Sequence, residues 1–147
     1  MLNSHYREML QNLSDENVEF LIVGAFALAA HGIPRSTGDI DIWVRPSFQN
    51  AAKLFKALAD YGAPLGDTRP NDFTQTDIVF QIGVIPLRID ILTSIDGVSF
   101  EQAYAERKVV DMDGLSVPVL SRKCLIQNKK SVGRDKDLLD IKLLEEG

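Results

Sequence analysis

The residues best suited to do chemistry are Asp39 and Asp41, in the segment DIDIWV, and Asp90, in PLRIDIL. In an extended strand, side chains two positions apart share a face. Asp39, Asp41 and Trp43 therefore point one way and Ile40, Ile42 and Val44 the other, with the isoleucine face expected against the core. The same parity puts Arg88 with Asp90, and Leu87, Ile89 and Ile91 opposite. Neither Asp39 nor Asp41 has an obvious neutralising partner nearby in sequence. If the two strands are neighbours, three carboxylates converge on one face. Such a cluster repels itself unless a divalent cation or a proton shares the charge. Mg²⁺ suits an all-oxygen donor set that also meets substrate phosphates, with Mn²⁺ as the alternative. An isolated D-x-D pair is more often merely solvent-facing; a glycine turn before it and a third strand aspartate after it set this one apart.

A second chemistry suggested by the sequence is anion binding. VEFLIV (18–23) is a short apolar run ending at Gly24, expected as a buried strand, and AFALAAHG (25–32) reads as a short helix with Gly32 near its C-terminal cap. A strand turning through Gly24 into a helix leaves backbone N–H groups, that of Ala25 first, at the positive helix end, where a phosphate can sit. Arg35 lies in the loop before the aspartate pair. Arg122, Lys123, Lys129, Lys130, Arg134 and Lys136 crowd one later stretch against Asp135 alone. That stretch reads either as a local anion site or as an ordinary solvated helix face.

The elements that must position these groups follow from periodicity and punctuation. Residues 4–16 form an amphipathic helix on Tyr6, Met9, Leu10 and Leu13. Pro46 and Ser47 open a helix that runs to about Tyr61, and 62–76 is the longest loop. DIVFQIG (77–83) and PLRIDIL (86–92) make a hairpin. SFEQAYAER is a short helix with Ser99 as N-cap and Gln102 at the capping-box position. KVVDMDGLSVPVL turns back at Asp113-Gly114 as a second hairpin. Two helices follow, from Ser121 and from Asp135 to Glu146, parted by Gly133; Leu138, Leu139, Ile141, Leu143 and Leu144 imply that the last buries one face. Strands and helices mix without strict alternation, so an α/β domain with a mixed sheet is expected over 1–147.

Composition narrows the function classes. The chain has 147 residues, 45% of them hydrophobic, and a net charge of −5. That balance argues against a surface built broadly for nucleic acid. One cysteine, Cys124, excludes an internal disulfide and suits a reducing cytoplasm, and it reads as a small core residue. With two distant histidines, a zinc site or Cys/His nucleophile has no support. His31 is expected to cap its helix and His5 to lie on the surface. Trp43 either stacks on a bound base or covers the sheet. No segment has the composition of a signal peptide or membrane span.

These residues carry a resemblance. IVGAFALAAHGIPRSTGDIDIWV resembles the signature of the DNA polymerase β-like nucleotidyltransferase superfamily: a hydrophobic strand, Gly-Gly or Gly-Ser, a short helix, then D-h-D-h. It is especially similar to minimal bacterial members, such as the lincosamide and aminoglycoside nucleotidyltransferases and the abortive-infection toxins. FQIGVIPLRIDILTSIDGVSFEQA and VPVLSRKCLIQNKKSVGRDKDLLDIKLL resemble the same group, so the likeness covers nearly the whole chain. One departure is Ala25, where the family has Gly or Ser: a hydroxyl contact to phosphate is lost and the backbone N–H remains.

The resemblance implies a nucleotidyltransferase fold, a mixed sheet flanked by helices with the C-terminal helices packed back on the core. It implies Mg²⁺-dependent transfer of an NMP from an NTP, ATP first, to a hydroxyl or phosphate acceptor. Asp39, Asp41 and Asp90 would be the catalytic metal ligands, Asp90 also taking the proton of the attacking hydroxyl. Gly24, Ala25, Arg35, Lys129, Arg134 and Lys136 would hold the nucleotide. Arg134 has a rival role as ion-pair partner of Asp137. Two other readings stand beside the enzyme: a nucleotide-binding half of a toxin–antitoxin pair with little activity, and an antibiotic-modifying enzyme. The acceptor is left open between small molecules, tRNA and protein, as are an antitoxin and a homodimer partner, because fold and metal site are shared across many acceptors.

Overall fold

The computed structural model describes residues 2–147. Strands β1 (Phe20–Val23), β2 (Asp39–Val44), β3 (Val79–Ile82), β4 (Arg88–Leu92), β5 (Lys108–Met112) and β6 (Leu115–Val119) form one mixed sheet in the order β3-β4-β2-β1-β6-β5. β2 runs parallel to β4 and antiparallel to β1, and β1 runs parallel to β6. The expected hairpins are β3–β4 and β5–β6. Helices α1 (Ser4–Asp15), α2 (Gly24–Ala30), α3 (Phe48–Tyr61), α4 (Phe100–Ala105), α5 (Arg122–Val132) and α6 (Asp135–Glu146) complete the α/β fold.

Local chemistry explains most boundaries. Side chains of Asn3, Ser47, Ser99 and Ser121 accept the free N–H groups that open α1, α3, α4 and α5. Gln102 leaves the capping box half-made, because its side chain hydrogen-bonds Gln127 instead. Asp113 and Gly114 both take positive φ, 53° and 90°, as a tight turn twisted like its strands requires.

Ile22, Ile40, Ile42, Ile89 and Ile91 are fully buried on the expected core face. The opposite face is covered as well along part of its length. Trp43, 1% exposed, meets Phe100 of α4 edge-on at 5.1 Å, so it covers the sheet and is not free to stack on a base. Leu87, expected among the buried residues, is 40% exposed at the tip of the β3–β4 hairpin. The 62–76 segment contains a 3₁₀ turn, Pro70–Thr74, anchored by Phe73 against Phe80.

Two further expectations change. His31 is the C-cap residue of α2 through its backbone N–H, which bonds the Ala27 and Leu28 carbonyls, but its side chain does not cap the helix: Nε2 lies 2.8 Å from the Leu120 carbonyl. Burial pushes its pKa down, so the neutral ring donates there and joins the end of α2 to the end of β6. In α6 the buried stripe is Asp137, Asp140, Ile141 and Leu144, while Leu138 and Leu139 face solvent. Positions i, i+3, i+4 and i+7 share one helix face. Ion partners on α5 and before β2 hold both carboxylates on that face, which turns the two leucines outward.

Candidate active site

Strand register builds the centre of the site. In the parallel β2–β4 pair, Asp39 lies opposite Arg88 and Asp41 opposite Asp90, so all four side chains share a face. Each of Asp39, Asp41 and Asp90 offers a carboxylate oxygen within 4.8 Å of the others. In the antiparallel β1–β2 pair, Asp41 lies opposite Val23. Gly24 is the next residue, so the start of α2 must pass directly over the Asp41 carboxylate. A Cβ on Gly24 would collide with Asp41 Oδ2 and approach Cγ to 3.2 Å. Only glycine leaves that space, and its φ of +68° suits the same residue type.

Arg88 is the partner that local sequence did not show. Its Nε donates to Asp90 Oδ1 at 2.9 Å, and its Nη2 to Asp39 Oδ2 at 2.8 Å and Asp90 Oδ2 at 3.1 Å. The signal was present in the parity of RID, where Arg88 and Asp90 share a face. Thr37 Oγ1 donates to Asp39 Oδ1 at 2.7 Å. Burial works against ionisation of Asp39, but the Thr37 hydroxyl and the Arg88 guanidinium outweigh it and hold the pKa below the usual value. Asp41 accepts a hydrogen bond from neither, and the Arg88 charge is the smallest influence on it. Burial, then the charges of Asp39 and Asp90, push its pKa up to about 7.

One guanidinium faces three carboxylates, leaving two charges uncompensated, the amount a single divalent cation carries. The donor set is hard oxygen throughout, and the missing side chain at Gly24 leaves the Asp41 carboxylate its place in the cluster. These residues fit a divalent cation.

Beside the carboxylates lies a cavity of about 540 Å³ lined by Gly24, Ala25, Arg35, Asp41, Lys129 and Lys136, together with Ser36, Thr37, Arg134, Leu139 and Asp140. The C-terminal helices thus fold back onto the Gly24 turn. Every sequence-derived site residue except Asp39 and Asp90 lines this cavity, and those two adjoin Asp41. Three of the four cations are already paired. Arg35 bonds Asp140, Lys129 bonds Asp140 at 3.0 Å and Asp137 at 3.4 Å, and Arg134 bonds Asp137 at 2.7 Å. Among the described residues Lys136 has no carboxylate partner. The Arg134 side chain, with Lys129 behind it, holds Asp137 well below the usual carboxylate range, at about 2, against the opposing effect of burial.

The fold has solved counterparts. A candidate nucleotidyltransferase from Thermotoga maritima superposes with a TM-score of 0.65 at 18% identity, covering 100% of this chain and 97% of the other. The lincosamide antibiotic adenylyltransferase LnuA, solved with lincomycin, gives 0.60 at 16% identity over 99% of this chain and 97% of the other. ANT(2″)-Ia in complex with adenylyl-2″-tobramycin gives 0.59 at 15% identity over 96% and 87%. At these identities the likeness is one of fold. No curated protein matches by sequence. The model of a family described as nucleotidyltransferase of unknown function (DUF6036) matches residues 2–145, almost the whole chain, and the protein belongs to that nucleotidyltransferase family.

Proposed function

We propose that Asp39, Asp41 and Asp90 are the metal-holding carboxylates of this nucleotidyltransferase, that Mg²⁺ is the metal and ATP the nucleotide. The convergence of three carboxylate oxygens within 4.8 Å beside a cavity rimmed with cations carries this reading. Bound there, Mg²⁺ would neutralise phosphate charge and stabilise the attacking and leaving oxygens. The chain's own groups do the rest. Arg35, Lys129, Arg134 and Lys136 take the β- and γ-phosphates, and Gly24 and Ala25 bring backbone close to them. The acceptor hydroxyl oxygen bonds to the α-phosphorus, the α–β bridging P–O bond breaks, and pyrophosphate leaves. The hydroxyl proton passes to a carboxylate oxygen of Asp90, which Arg88 holds in place. ATP is proposed because LnuA and the tobramycin complex are adenylyl-transfer systems by name. The Mg²⁺ and ATP this reading requires are those of the cytoplasm, where Cys124 stays reduced.

Incubating the protein with each labelled NTP, Mg²⁺ and cell extract identifies the acceptor by where the label goes. Label transfer from ATP that needs the divalent cation is expected; no transfer from any NTP would overturn the reading.

Two rim cations separate nucleotide binding from structure. Lys136→Ala is expected to weaken ATP binding about tenfold, the loss of one charge-assisted hydrogen bond, with an unchanged melting temperature. Arg134→Ala is expected to weaken binding and also to lower the melting temperature by roughly 2–4 °C, because it strips one partner from the buried Asp137. Calorimetric titration with ATP beside a thermal melt reads both. Unchanged ATP affinity in both variants would remove the C-terminal cations from the site.

A further inference from the structure

Helix α6 contradicts its own hydrophobic pattern. Asp137 and Asp140, 1% and 5% exposed, occupy the buried stripe, while Leu138 and Leu139 stand 55% and 57% exposed. Burying two carboxylates and exposing two leucines is a poor way to gain stability, because desolvation offsets most of what a buried ion pair returns. Local rules broken in this manner tend to mark functional positions. The partners of Asp140 show what the burial achieves. It binds Arg35, from the segment between α2 and β2, and Lys129, from α5, at 3.0 Å. Arg35 and Lys129 are far apart in sequence and meet through this one carboxylate. Two residues beyond Arg35, Thr37 donates to Asp39, so the same segment is tied to α6 at one point and to the carboxylate cluster at the next.

We propose that Asp140 is a positioning residue: from inside α6 it fixes Arg35 and Lys129 at the rim of the Gly24–Asp41 cavity, aimed at the polyphosphate of the nucleotide. A guanidinium has five N–H donors and an ammonium three, so Arg35 can serve Asp140 and keep several donors for phosphate, while Lys129, which also bonds Asp137, keeps one. A buried carboxylate with two cationic partners sets their positions before the nucleotide arrives, and this lowers the ordering cost of binding. Lys136, without such a tether, supplies charge but not geometry. The inference rests on the proposed nucleotide site and assigns it a residue outside the metal cluster.

The test is ATP titration, with Ca²⁺ in place of Mg²⁺ to suppress turnover, on wild type, Asp140→Asn, Arg35→Gln and the double variant, each beside a thermal melt. Asp140→Asn is expected to weaken ATP binding at least tenfold. Arg35→Gln in the Asp140→Asn background is expected to cost clearly less than in wild type, because its anchor is already gone. If Asp140 is only a structural ion-pair partner, the melting temperature falls and affinity is unchanged. If it merely competes with phosphate for the cations, affinity rises. Either result overturns the proposal. Should Asp140→Asn fail to fold, Asp140→Glu decides: it keeps the charge and shifts it by one methylene. Weakened binding with an intact melt supports positioning, and unchanged binding overturns it. Wild type that binds no ATP would overturn the nucleotide site itself, and this inference with it; wild type that binds while the variants match it would overturn only the role of Asp140.

Discussion

Asp41→Asn is expected to abolish nucleotidyl transfer and, in metal-free protein near neutral pH, to raise the melting temperature. Removing one ligand costs a share of transition-state charge stabilisation worth several kcal/mol, which corresponds to about a thousandfold in rate. The stability effect has the opposite sign because Asp41 is the uncompensated member of the cluster. Its pKa rises from an ordinary 3.8 to about 7 in the fold, through burial first and then the charges of Asp39 and Asp90. Between those pH values the folded state binds a proton that the unfolded chain has lost. Metal-free stability therefore falls as pH rises through that window and levels off above it. Asparagine titrates nowhere in that range, so the variant lacks this slope. Its advantage at pH 8 is on the order of 2 kcal/mol, allowing for water at the cavity mouth. Saturating Mg²⁺ should reverse the order, because binding to the folded state stabilises wild type far more than the variant. Melts from pH 5 to pH 8, with chelator and with Mg²⁺, check both halves. A variant with full activity, or parallel melting curves throughout, would count decisively against the site.

Gly24→Ala should damage activity far more than stability. Any other residue at a φ of +68° carries a left-handed backbone cost of about 1–2 kcal/mol. The new methyl group would also occupy the space of Asp41 Oδ2, and Asp41 cannot yield by backbone movement because β2 is held between β1 and β4. The carboxylate would swing out of the cluster. Displacement of a reacting geometry by about 1 Å can cost a hundredfold, and a loss of at least that size in transfer rate is expected. Gly62→Ala is the control. Gly62 closes α3 at a φ of +90°, and a methyl group added there would meet nothing within 4 Å, so it carries the backbone cost alone. Both variants should melt lower, Gly24→Ala by at least as much as Gly62→Ala, and Gly62→Ala should keep its activity. Equal activities would show that Gly24 serves only the turn.

Much of the site could be read from residue order because its rules are local. Alternation alone puts Asp39 with Asp41 and Arg88 with Asp90, since a strand's side-chain period does not depend on its neighbours. Ser47, Ser99, Ser121 and the Asp113-Gly114 turn marked their elements for the same reason: a cap or a turn is satisfied within four residues. Membership of the nucleotidyltransferase family was likewise legible in the run from Ile22 to Val44.

Tertiary structure decided what depends on distant partners. Adjacency of β2 and β4, with Asp41 opposite Asp90, turns two parity statements into one cluster; α3 and β3 separate these strands in the chain, and no local signal sets their register. Tertiary structure also assigned Arg88 to the carboxylates, placed Trp43 beneath Phe100 and turned the His31 ring to Leu120. It chose the face of α6 as well. Apolar spacing predicts that Leu138 and Leu139 help bury the helix, yet Asp137 and Asp140 take the inner positions. A helix's rotation about its own axis is set by everything it docks against, and here Arg35 and Lys129, both outside the helix, outweigh two leucines.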